Sequence, residues 1–287
     1  MGRLVRNLFF AIVFALPAFS QKATIHAPSS VTAGNPLTIT TAGSGSATLY
    51  LIGPSHVRKQ SIKLGQGVEI SGQDLVVSGA YQAVACDSDG CVNAAFQVLP
   101  AKPARLAFLL HPSRVPVSTP NAVNGTALVS DRYHNTVLAP AKVDFHLSLG
   151  EESSTRSVQT GRGIAWFEMG SRPKQGALQV VASIDNTEEP RVIQQVASEA
   201  CGLRISAAPA GRLVELQTDP IRDCAGNPLP DGTIVSFTKT DSAGKSTVDT
   251  PIKKDKATAQ FELSGPAHIS VACGVVVGNE LTLGGRP

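Results

Sequence analysis

The sequence predicts an all-β chain of tandem small sandwich domains behind an export signal. Three observations lead there. Short runs alternating apolar and polar residues recur along the chain, closed by Gly, Pro, Asn or Asp. Period two with one apolar face marks an antiparallel sheet covering a core. Helical spacing, with apolar residues at i, i+3, i+4 and i+7, is nearly absent beyond the first residues. Finally, one phrase of sequence is written twice, about 90 residues apart, with the same two strands following it each time.

The chain opens MGRLVRNLFFAIVFALPAFSQKA. Arg3 and Arg6 give a basic start. An apolar run of about a dozen residues follows, shorter than the roughly 20 a spanning helix needs. Ala18-Phe19-Ser20 then supplies a small-x-small site. Residues 1–20 therefore read as a signal peptide cleaved after Ser20, with a retained anchor as the alternative. No cysteine sits at the cleavage point, and the tail LTLGGRP carries no recognisable sorting signal. The mature chain is expected outside the cytosol, in the periplasm, on the cell surface or beyond it, with no membrane span.

The 287 residues carry a net charge of +3 with both signs scattered. Lys253-Lys254 is the densest basic spot, and Asp255 flanks it. No nucleic-acid or heparin patch is expected from that pattern. Few charges with plentiful Gly, Pro, Ser, Thr, Ala and Val is the composition of an exported β protein, not of a disordered one.

The repeat fixes the organisation. DRYHNTVLAPAKVDF (131–145) lies over DCAGNPLPDGTIVSF (223–237) without a gap. Asp131 meets Asp223, Asn135 meets Asn227, Val143 meets Val235 and Phe145 meets Phe237. AWFEM (165–169) then meets AQFEL (259–263), and GALQVVA meets PAHISVA. Upstream, ATIHAPSSVTAGNPLTITTAG, SATLYLIGP and the hairpin AYQAVACDSDGCVNAAFQV supply a more diverged copy. The predicted layout is residues 21–100, 103–197 and 200–284, joined near 101–103 and 197–200. Domains of about 80 to 95 residues with some seven short strands have the size of an immunoglobulin-like sandwich.

The second and third domains resemble bacterial Ig-like domains of the invasin/intimin type. The resemblance rests on the Asp and Asn-Pro turn of DCAGNPLPDG, Val235-x-Phe237, the alternating strand ATAQFEL and the following P-A-x-x-x-V-x-A strand. The second domain departs from it at Thr136, which stands where the proline would be. The two matches cover about two thirds of the chain, and their motifs specify a fold, not a function. In that family such domains serve mostly as rigid spacers that display a binding tip. Neither an outer-membrane barrel nor a lectin-like tip is visible in the sequence.

The loop 223–237 holds acids, a cysteine and paired prolines, yet it reads as a turn. Asp and Asn bond nearby backbone N–H groups there, and Pro228 and Pro230 fix φ. Calcium would need six or more oxygens, and the first copy has no counterpart of Asp231. Cys86 and Cys91, flanking DSDG, read as a cross-hairpin disulfide. In an Ig-like topology Cys201, Cys224 and Cys273 share one end of the sandwich. Cys201–Cys224 is the expected pair, with Cys273 as a buried thiol; Cys224–Cys273 is the alternative.

No cofactor and no metal are expected, since none of the six histidines stands at metal-ligand spacing from Cys, Asp or Glu. Ser55-His56 lacks a nucleophile-elbow pattern, and no phosphate loop is present. Asn124-Gly-Thr reads as a strand-entry turn. Trp166, the only tryptophan, stands out. If Ala165, Phe167 and Met169 face the core, Trp166 faces out beside Ile164, as a candidate contact for a protein or a surface glycan. A neighbouring loop covering it is the alternative. The sequence thus predicts a non-enzymatic exported spacer or adhesion module. The rival is a periplasmic accessory factor that binds through an exposed strand edge. A carbohydrate-binding protein or hydrolase would need more exposed aromatics, or a polar cleft, than one Trp and three Tyr suggest.

Overall fold

The computed structural model describes residues 22–210 and 213–284; the predicted signal peptide lies outside the described residues. The chain divides between Lys102 and Pro103 into two compact units.

The first unit is a sandwich of eight strands and one 3-10 turn, Gly72–Asp74. The strands are β1 (Thr24–His26), β2 (Ser30–Thr32), β3 (Leu37–Ala42), β4 (Ser46–Ile52), β5 (Val57–Lys63), β6 (Gly67–Ile70), β7 (Gly79–Asp87) and β8 (Gly90–Leu99). They form a three-stranded sheet, β1-β3-β6, and a five-stranded sheet, β2-β8-β7-β4-β5. Alternation in each strand sends Ile39, Leu49, Leu51 and Tyr81 inward, where the Tyr81 ring stacks on Phe96 at 5.5 Å.

The second unit holds two further sandwiches, each with its own core. In the earlier one the strands are β9 (Arg105–His111), β10 (Arg114–Pro116), β11 (Val123–Ser130), β12 (Lys142–Leu149), β13 (Glu152–Gln159), β14 (Ile164–Met169), β15 (Gly176–Ile184) and β16 (Thr187–Val196). Their sheets run β14-β11-β9 and β10-β16-β15-β12-β13. In the later one they are β17 (Ile205–Ala210), β18 (Leu213–Thr218), β19 (Ile234–Asp241), β20 (Gly244–Pro251), β21 (Thr258–Glu262), β22 (Ala267–Cys273), β23 (Val276–Val277) and β24 (Leu281–Leu283). There the sheets run β17-β18-β21 and β20-β19-β22-β23, with β24 also on β22.

The written repeat is a spatial repeat. Val143 and Phe145 on β12, and Val235 and Phe237 on β19, are all fully buried. Leu178, Val180, Ala182 and Ile184 face one core, and Ile269, Val271 and Cys273 face the other. Pairing is antiparallel with two exceptions: β2 runs parallel to β8, and β10 parallel to β16. Pro28 and Pro112 stand at the two breaks. Each follows the first strand of its sandwich and offers no N–H to the ladder, and the chain beyond it lies on the other sheet.

The long outer strands of the five-stranded sheets share a device. Arg58 on β5 stands opposite the buried Leu51, on the core side of the sheet's edge, and its half-exposed side chain pairs with Asp74. On β13, Arg156 stands opposite the buried Phe145; it lies over the Phe167 ring and donates to the Glu168 carbonyl at 3.0 Å. In the last sandwich the cation sits one strand in. Lys239 on β19 donates to the Glu262 carbonyl at 2.9 Å and pairs with Asp241 at 2.7 Å. An inward-pointing charge at a sheet edge must be desolvated by any strand added there, which discourages edge-to-edge pairing.

Candidate functional site

The sheet β14-β11-β9 presents its outer face as two apolar rows. Its inner face carries Phe108, Ala127, Ala165 and Phe167, all buried. Gly125 belongs to that face because a Cβ there would stand 2.2 Å from Phe167 Cε1. Outer positions therefore fall on the alternate residues. Across the sheet, Leu109 pairs with Thr126 and Thr126 with Trp166; one step along, Ala107 pairs with Leu128 and Leu128 with Ile164. Exposure is 64% for Trp166, 68% for Leu109, 44% for Ile164 and 40% for Leu128. Polar residues close both ends, with Arg105 opposite Ser130 at one and His111, Asn124 and Glu168 in register at the other.

Sequence reasoning singled out Trp166 and Ile164 but missed Leu109 and Leu128. RLAFLLH is apolar at consecutive positions, so its own pattern does not say which leucine faces out. The asparagine of Asn124-Gly-Thr lies on this same face, within β11.

The cysteines lie elsewhere. Cys86 and Cys91 are directly paired at the end of β7 and β8 and form a disulfide. Cys201 and Cys224 form a second, which ties the Asp223 loop to the entry of the last sandwich. Cys273 is a free, buried thiol, and burial pushes its pKa up.

The loop that opened on Asp223 is a built turn and also a joint. Asp223 Oδ1 accepts from the backbone N–H of Ala225 and Asn227, each at 2.9 Å, and Oδ2 from Ser198 N–H at 3.0 Å and Asn227 Nδ2 at 3.0 Å. Burial raises the Asp223 pKa, but the hydrogen bonds from Asn227, Ser198 and Ala225 outweigh it and hold the carboxyl below its ordinary value. Asn227 in turn donates to the Pro173 carbonyl at 2.7 Å and accepts from Gln175 N–H at 3.0 Å, both in the preceding sandwich. The earlier copy repeats the turn: Asp131 Oδ1 accepts from Tyr133 and Asn135 N–H at 2.8 and 2.9 Å.

Among the described residues no group of three or more His, Cys, Asp or Glu is placed to hold a metal ion. Ser55 and His56 are hydrogen-bonded at 3.2 Å in an exposed turn, with no carboxylate bonded to either.

The architecture recurs in solved bacterial proteins. The Escherichia coli adhesin FdeC aligns over 92% of this chain and 97% of its own, with a TM-score of 0.64 at 14% identity. The fold is that of tandem bacterial immunoglobulin-like domains of the invasin/intimin type. Invasin, a bacterial integrin-binding protein, aligns over 92% of this chain and 60% of its own, with a TM-score of 0.55 at 11% identity. InvD of Yersinia pseudotuberculosis aligns over 91% and 97%, with a TM-score of 0.54 at 11% identity. No family model matches the sequence, and no curated protein matches it. At such identities the likeness is one of fold.

Proposed function

We propose that the chain is an exported, non-catalytic adhesion module of a cell surface, with sandwiches at residues 21–100, 103–197 and 200–284, that binds through the outer face of β9, β11 and β14. One observation carries this reading. Each sandwich has the same three-stranded sheet, but among the described residues only the second has an apolar outer face. In the third, the positions of Leu109, Trp166, Leu128 and Ile164 are held by Ala208, Gln260, Gln217 and Thr258. In the first, the outer positions of β3 and β6 include Thr38, Thr40 and Glu69. A largely apolar face, with Trp166 and Leu109 on its two outer strands, Leu128 and Ile164 beside them and polar residues at both ends, has the layout of a protein-binding surface.

The adhesin and invasin neighbours support the same class of role. The core-side cations Arg58 and Arg156, on the outer strands β5 and β13, count against the rival reading, in which a partner adds a strand at an edge. Export is supported by the two disulfides and by the basic-apolar-small pattern of residues 1–20. No helix among the described residues is long and apolar enough to cross a membrane.

The test is saturable binding of the labelled chain, from Gln21 onward, to cultured epithelial cells. Trp166→Ala and Leu109→Ser should each weaken it by roughly tenfold or more, the loss expected of a large apolar anchor. Gln260→Ala, at the matching position of the third sandwich, should leave it unchanged. Undiminished binding by a well-folded Trp166→Ala/Leu109→Ser double variant would overturn the assignment of the face.

A further inference from the structure

The third sandwich carries a second surface feature, independent of the apolar face. Between β20 and β21 the chain turns tightly at 253–256, with Lys253 N–H donating to the Lys256 carbonyl at 2.8 Å and Lys256 N–H to the Lys253 carbonyl at 3.2 Å. The two central residues are both left-handed: Lys254 has φ 52° and Asp255 has φ 68°. Such a turn favours Asn and Gly, because a side chain costs free energy at positive φ. The matching turn of the second sandwich, 161–164, has glycine at its second central position, Gly163 with φ 84°. The third sandwich keeps two charged side chains in the strained positions instead.

The fold then separates their charges. Asp255 is drawn to Arg222, whose guanidinium stands 3.2 Å from its carboxylate. Its carbonyl accepts from Ile221 N–H, and Lys254 N–H donates to Asp231 Oδ1 at 3.0 Å, so the turn is anchored on both sides. The lysines are left around a hollow of about 340 Å³. Lys253, Lys254 and Lys256 line it with Gln217, Thr250 and Thr258, and no carboxylate does. None of the three ammonium groups has an ion pair among the described residues, and Lys256 makes only a 3.4 Å contact to Gln217 Oε1. Thr250 Oγ1 is buried with no hydrogen-bond partner.

We propose that this hollow binds the sulfate or phosphate ester of an anionic saccharide. Ammonium groups act as point-charge ligands for a tetrahedral oxyanion, and three of them converge on this hollow with no carboxylate among its lining residues. The hollow is larger than a bare anion fills, and Gln217 and Thr258 offer amide and hydroxyl groups suited to sugar hydroxyls. Asp255 beside Lys254 hides the site from a linear reading, because sequence neighbours cancel on paper and not in space.

The probes are a heparin-derived tetrasaccharide, its desulfated form and glucose 6-phosphate, titrated into the chain from Gln21 by calorimetry and by amide chemical-shift mapping. The sulfated probe should bind with shifts confined to the turn and to the adjoining ends of β18, β20 and β21, and more weakly as salt is raised. The desulfated form should not bind. Competition by glucose 6-phosphate would assign the site to phosphate esters, and its failure to compete to sulfate esters. Replacing all three lysines with Gln should lower affinity by roughly tenfold or more without moving the melting temperature. Lys254→Gly should raise the melting temperature, as strain is relieved, and still weaken binding. Equal binding of the desulfated probe, unchanged affinity in the triple variant, or equally tight binding of a single-stranded oligonucleotide would each overturn the proposal.

Discussion

Asn227 Nδ2 reaches across the junction of the last two sandwiches to the Pro173 carbonyl at 2.7 Å. The same side chain accepts from Gln175 N–H and is itself held by the Asp223 carboxylate. One buried amide thus finishes a turn and joins two domains. Asn227→Ala should cost about 1–3 kcal/mol, because it leaves the Pro173 carbonyl and the Gln175 N–H unpaired. Faster hydrogen exchange at the Gln175 amide, with the β22 amides unchanged, is the expected readout. Unaltered exchange at Gln175 would mean the contact does not hold the joint.

The Asp223 carboxylate sets a pH dependence on the same joint. Its native pKa lies below the unfolded value, because the Asn227, Ser198 and Ala225 donors outweigh burial. The stabilisation it provides is therefore fully present above the unfolded pKa and is lost as pH falls through the native one. The stability gap between the natural chain and Asp223→Asn should be widest near about pH 7 and narrow towards about pH 2. Chemical denaturation across that range measures it; a gap independent of pH would exclude the carboxylate as its source.

Arg156 and Lys239 reach equivalent carbonyls from different strands. Glu168 and Glu262 occupy matching places in the repeat, and each accepts a cation's N–H. Arg156 stands opposite Phe145, and in the third sandwich Val248 stands opposite Phe237 at the same position. Lys239→Leu alone should cost about 2–4 kcal/mol, since it strands Asp241 and the Glu262 carbonyl. Adding Val248→Arg, which copies the second sandwich, should recover about 1 kcal/mol or more through the restored donor. Strict additivity of the two changes in a double-mutant cycle would refute the equivalence.

The two disulfides close loops of different length, with sequence separations of 5 for Cys86–Cys91 and 23 for Cys201–Cys224. By chain entropy the shorter should contribute about 2 kcal/mol and the longer about 3 kcal/mol. Thermal unfolding of the paired Cys→Ser variants should rank them in that order. Alkylation should find Cys273 closed in the native chain and open only in denaturant, since burial hides the thiol and disfavours its thiolate. Rapid native labelling would contradict its burial.

Much of this fold was legible in the chain. Alternation in GALQVVASI placed Leu178, Val180, Ala182 and Ile184 inside, and the same rule turned Trp166 outward. The paired phrases at 131 and 223 announced two copies of one turn. What escaped was everything that depends on a partner strand. Leu109 lies in an apolar run that gives no facing, and only its register with Thr126 and Trp166 puts it on the outer face. Lys239 would be placed in solvent by any reading that sends charges outward, yet it is buried, and the exposed Arg58 and Arg156 stand in register with core residues.

The sequence by itself determined the all-β class, the repeat and the turn chemistry, because period-two burial, proline interruption and Asx hydrogen bonding act within a few residues of chain. Only the tertiary structure decided that Leu109 joins Trp166, that Asn227 bridges two sandwiches, and that Asp255 leaves three lysines to a common hollow. Those are contacts between residues far apart in sequence, fixed by strand register and sheet order, and no local pattern of side chains encodes them.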